Sequence, residues 1–101
     1  MKPEQLRVIA KAMGLKSHIH DLLGCRAEVN KYWVVWNPET NAEQTLMVLE
    51  HFKIDTEYDE INKEWLAIKG ADGIIIVCKR HKDFQTAVCM AAHEYAETLK
   101  K

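Results

Sequence analysis

Glycine and proline together supply six of 101 residues, too few for the composition of a disordered or linker-like chain. Long apolar runs are also missing. Even the segment Ile74 to Cys78 falls far short of the roughly 18 residues needed to span a bilayer. Cys25, Cys78 and Cys89 are an odd set without paired spacing, unlike the framework of a disulfide-stapled secreted domain, so reduced thiols are expected. Neither sign of charge dominates: 14 basic residues face 15 acidic ones, for a net charge of −1. No overall field therefore draws the protein to nucleic acid or an anionic membrane, and any such contact must come from a local patch. A Gly-rich phosphate loop, a G-x-S-x-G elbow and a paired-carboxylate signature are all lacking, which argues against an enzyme and against a cofactor. Met1 to Gln5 lead straight into an amphipathic pattern rather than an apolar signal region, so the expectation is a soluble, cytoplasmic protein.

The residues that are present, 48% hydrophobic and 29% charged, suit one ordered domain with a single core from about Pro3 to Leu99. Leu6, Ile9, Ala10 and Met13 recur at helical spacing, with Pro3 fit for the first turn and Gly14 for the stop. From Leu15 to Asn30 the pattern weakens into what reads as a connection. Tyr32 to Trp36 is aromatic and β-branched up to Asn37-Pro38, as in a strand. Asn41 is placed to cap a helix whose apolar stripe is Ala42, Leu46, Leu49 and Phe52.

Ile54, Thr56 and Tyr58 alternate with Asp55, Glu57 and Asp59, giving an edge strand with an acidic face. Trp65–Ile68 and Ile74–Cys78 flank Gly70-Ala71-Asp72-Gly73 and predict an antiparallel hairpin. The second of these strands is apolar on both faces, which points to the sheet centre. Asp83 caps a last helix with a stripe of Phe84, Val88, Ala91, Ala92, Tyr95 and Leu99. The fold class predicted is α+β, a helix-sheet-helix layered domain of order α-β-α-β-β-β-α with a mostly antiparallel sheet.

Four clusters are candidates for function. His18-x-His20 with Asp21 and Cys25 has metal-capable residue types but matches no zinc spacing, so no metal is assigned. Cys89 and His93 are one helical turn apart without an evident orienting group, which reads as packing rather than thiol catalysis. Lys79, Arg80 and Lys82 precede the last helix, where backbone N–H groups and the helix dipole favour an anion. Tyr32, Trp33 and Trp36 are the aromatic candidates for a contact surface. Alternation sends Tyr32 and Trp36 to one strand face and Trp33 to the other, so at least one aromatic is expected to be exposed.

The run from about Asn41 to the C-terminal helix, with lysines leading into that helix, resembles a double-stranded-RNA-binding domain in layout. Its hairpin loop Gly70-Ala71-Asp72-Gly73 lacks the His and positive charge associated with that family. A wider likeness covers most of the chain: Ala12-Met13-Gly14 closing the first helix, Tyr32-Trp33, Asn37-Pro38 leading to Asn41-Ala42, Trp65, and Cys89-Met90-Ala91-Ala92. In these features the chain resembles the phage ABA-sandwich domain family, although Lys79 to Phe84 stand where that family has a Thr- and Pro-containing helix start. The resemblance implies a phage- or prophage-encoded domain without catalytic residues. By analogy it implies a binding module in the bacterial cytoplasm whose partner is a host protein or a small defence nucleotide. A duplex-RNA-binding module and a structural virion accessory protein are the alternatives.

Overall fold

Nine elements follow one another along residues 1–100, which the computed structural model describes. They are α1 (Pro3–Ala12), β1 (Ser17–His20), β2 (Gly24–Val29), β3 (Tyr32–Val35), α2 (Ala42–Phe52), β4 (Asp55–Asp59), β5 (Glu64–Ala71), β6 (Ile74–His81) and α3 (Phe84–Leu99). The α+β class and the antiparallel pairing agree with the sequence reading. The order differs, because β1 and β2 occupy the stretch read as a connection. There are also two three-stranded sheets, β1-β2-β3 and β4-β5-β6, in place of one. β1 carries Ser17-His18-Ile19-His20, where a polar composition hides a strand held by its partner rather than by propensity.

The turns account for both meanders. Asn30 and Lys31 join β2 to β3, and Asp72 and Gly73 join β5 to β6. All four have positive φ, the requirement of the type I′ hairpin whose twist matches its strands. At Gly70 the register of β5 and β6 shifts. A Cβ there would stand 2.9 Å from the Ile74 carbonyl oxygen, so the close approach at this bulge admits only glycine.

The helices lie between the sheets. α3 touches β5 and β6, and it also touches α1 and α2, while α1 touches β1 and β2. This replaces the helix-sheet-helix layering expected from sequence: each sheet has helices on one face only. Ala87, Ala91, Ala92 and Ala96 of α3 are buried, and their small side chains allow the close contacts that α3 makes on several sides. Leu99, expected in that stripe, is exposed.

On α2 the buried face is also shifted from the expected one. Val48 and Phe52 are buried together with Gln44 and Thr45, whereas Ala42 and Leu46 face outward. Burial of the two polar residues is tolerated because their side chains find backbone partners. The Thr45 hydroxyl donates to the Pro38 carbonyl. Gln44 Nε2 donates to the Val35 carbonyl at 2.8 Å, and Gln44 Oε1 accepts from the Asn37 N–H at 2.7 Å. The Asn41 cap forms as expected, its side chain accepting from the Gln44 N–H.

β6 stands at the edge of its sheet, not the centre. Its isoleucines 74, 75 and 76 are exposed and only Val77 of the apolar run is buried. A strand apolar on both faces therefore need not be covered on both, and here the central strand is β5.

Candidate functional site

β3 is the outer strand of the first sheet, so no strand pairs with its outer edge, where the Trp33 and Val35 carbonyls accept from the Arg26 and Gln44 side chains, and its side chains project to both faces. Pairing of Val34 with the buried Ala27 sets which face looks inward. Tyr32, Val34 and Trp36 share that side, and Trp33 and Val35 lie on the other. Trp36 was a candidate contact residue, and the structure removes it from any surface. It is fully buried, and its indole N–H donates to the Leu6 carbonyl of α1 at 3.1 Å. Trp36 directly follows β3, at the point where the chain turns under the helices.

Tyr32 and Trp33 remain accessible, at 75% and 40% exposure, with Val35 exposed beside them. Trp33 is steadied from two directions. The His18 ring lies 4.9 Å from it, centroid to centroid, and Arg26 Nη2 donates to its carbonyl at 3.2 Å. On the other face, Val29, Tyr32, Val34 and Met47 line a groove of about 710 Å³ between β3 and the start of α2, whose polar lining is Asn30, Asn41, Glu43 and Gln44. An edge strand, an exposed aromatic and an adjoining groove form a surface suited to an extended peptide, with pockets for its side chains and the outward Trp33 and Val35 N–H groups as main-chain donors.

The basic cluster is less available than its composition implies. Most of it belongs to β6, so alternate residues diverge: Lys79 reaches Glu94 of α3 at 2.9 Å, and Arg80 reaches Asp59 of β4 at 3.0 Å. Lys82 alone has no ion pair within 4 Å among the described residues. The start of α3 is already filled by an anion. The Asp83 carboxylate accepts from the Thr86 N–H and hydroxyl, each at 2.9 Å, and these bonds hold its pKa below the usual carboxylate value. Asp59 is lowered further, to about 2, first by the Asn62 side-chain hydrogen bond and then by the Asn62 N–H and Arg80. The three basic candidates thus do not converge on one site.

No group of three or more His, Cys, Asp or Glu side chains comes together among the described residues. His20 Nδ1 instead accepts from the Leu22 and Leu23 N–H groups and shapes the β1–β2 turn. His93 pairs with Glu97. Cys89 is buried, and burial pushes its thiol up to about 12; Cys25 is raised by burial too. Cys78, at the end of the strand expected at the sheet centre, is exposed on β6. A thiol reagent at neutral pH is expected to modify Cys78 alone in the folded protein and all three cysteines in denaturant. Rapid labelling of Cys89 without denaturant, read by mass spectrometry, would show that α3 separates from its neighbours.

The groove beside β3 is the feature that sequence reasoning missed. Its apolar lining includes Val29, Val34 and Met47, residues of ordinary core type from three elements, so only the pairing of β2 with β3 and the placement of α2 could reveal it. Compared with protein-family models, curated proteins and solved structures, the chain matches none.

Proposed function

We propose that the chain is a non-enzymatic binding module that holds an extended segment of a protein partner along β3. The observation that carries this reading is the outer strand β3, bearing exposed Tyr32, Trp33 and Val35 beside a partly apolar groove. Aromatic side chains held in place before binding lose little entropy on contact and dominate such surfaces. The divergent, ion-paired Lys79 and Arg80 favour a protein partner over a nucleotide or duplex RNA, both of which require convergent cations. The resemblance to the phage ABA-sandwich family supplies the setting of the proposal: a phage-encoded module acting on a host protein in the bacterial cytoplasm.

A peptide-display selection against the purified protein, followed by NMR mapping of the selected peptide, tests this. Shifts are expected at Tyr32 to Val35 and at Met47. Trp33→Ala is expected to weaken binding at least about tenfold, and Lys82→Ala is expected to leave it unchanged. Selection of no peptide, or of peptides indifferent to Trp33→Ala, defeats the reading.

A further inference from the structure

A second groove, separate from the one at β3, runs along α1. Glu4, Arg7, Val8, Lys11 and Ala12 recur three and four residues apart, so they share one face of that helix. Ile19 of β1 and the end of α3 complete the lining of a space of about 390 Å³. Ala96 of α3 is buried there and ends at a methyl group, which leaves room between the two helices. Val8, Ala12, Ile19 and Leu99 make the rest of the wall apolar, and Ile19 and Leu99 are 38% and 55% exposed.

The charges in this groove lean one way. Arg7 and Lys11, one turn apart, have no ion pair within 4 Å among the described residues, and neither has Glu4. These three side chains leave one positive charge over, in a chain whose net charge is −1. Lys100 adds to it, although Glu97 shares that ammonium at 3.6 Å. Arg7 is half-buried, and its Nε is enclosed without a hydrogen-bond partner. The guanidinium has therefore given up part of its hydration, and an anion at its remaining N–H groups offsets that loss.

We propose that this groove binds a medium-chain aliphatic carboxylate, with the head group at Arg7 and the chain along Val8, Ala12, Ile19 and Leu99. A single anionic head matches the single surplus charge, and the planar guanidinium matches a carboxylate. Lys11 and Lys100 stand at the ends of α1 and α3, where they also offset the exposed carbonyls of those helices. Arg7, in mid-helix, has no such second task and so takes the head. From Glu4 to Ala12 the helix is about 12 Å long, which suits an alkyl chain of about eight carbons.

Octanoate is the probe, titrated into the isotope-labelled chain and followed by NMR at neutral pH. Saturable amide shifts are expected at Arg7, Lys11, Ala12, Ile19 and Leu99, with a Kd of roughly 0.1–1 mM. Octanol has the length without the charge and butanoate the charge without the length, and each is expected to bind at least about tenfold more weakly. Lys11→Glu is expected to weaken octanoate at least about fivefold and Leu99→Asp at least about tenfold. Both positions are exposed, so circular dichroism should show both variants folded. No saturable shift up to about 10 mM octanoate overturns the proposal. So does equal affinity for octanol, or binding indifferent to Lys11→Glu and Leu99→Asp. Shifts at the same residues that depend on protein concentration alone would put a second copy in the groove and overturn it too.

Discussion

Replacing Trp36 by alanine is expected to remove about 3–5 kcal/mol of stability, a large part of the ~5–15 kcal/mol that holds a domain of this size folded. The side chain is the largest of those fully buried, and its N–H fixes the end of β3 to α1. No small movement of a sheet and a helix can refill so large a cavity, because interiors are already close-packed. Urea denaturation followed by circular dichroism measures the loss. Trp36→Phe is expected to cost about 1–2 kcal/mol, since it keeps most of the volume and gives up one hydrogen bond. A loss below about 1 kcal/mol for the alanine variant would mean that Trp36 is not the anchor its burial indicates.

A second large effect is expected at Gln44, where one amide satisfies two backbone groups of the β3–α2 connection. Gln44→Ala leaves the Asn37 N–H and the Val35 carbonyl without these partners, at a cost of about 2–4 kcal/mol together. Gln44→Glu keeps the acceptor for Asn37 and discards the donor to Val35, so about half of that loss is expected. Hydrogen exchange should report faster opening at Asn37 in the alanine variant than in the glutamate variant. If the two variants behave alike, the hydrogen bond to Asn37 contributes nothing and water replaces the side chain there. Because the same amide sits at the groove, the alanine variant is also expected to bind a β3-directed peptide less tightly.

What could be read along the chain follows from how local each signal is. The helix starts at Pro3, Asn41 and Asp83 and the Asp72-Gly73 hairpin depend on residues a few positions apart, so their chemistry is written in neighbours. β1 is different: its polar residues become a strand only because β2 offers a ladder, and that pairing has no local mark. Likewise, Ile74 to Ile76 gave no means of telling a buried strand from an exposed edge, since burial is decided by what packs on it. For the site, alternation correctly separated Tyr32 and Trp36 from Trp33, but it could not show that Trp36 lies beneath α1. Lys79, Arg80 and Lys82 looked like one patch because sequence adjacency conceals the turn of a strand, which sends consecutive side chains to opposite faces.

The position of α3 sets the timetable of folding during synthesis. It is the ninth element in chain order, yet it touches α1, α2, β5 and β6, so most of the core lacks its central piece until the ribosome has released that helix. Each sheet can form as a local meander before then, but two such meanders would still expose the apolar surfaces that later close around the alanines of α3. A chain stalled before Phe84 is thus a natural client for chaperones and proteases, until α3 arrives and those surfaces close around it.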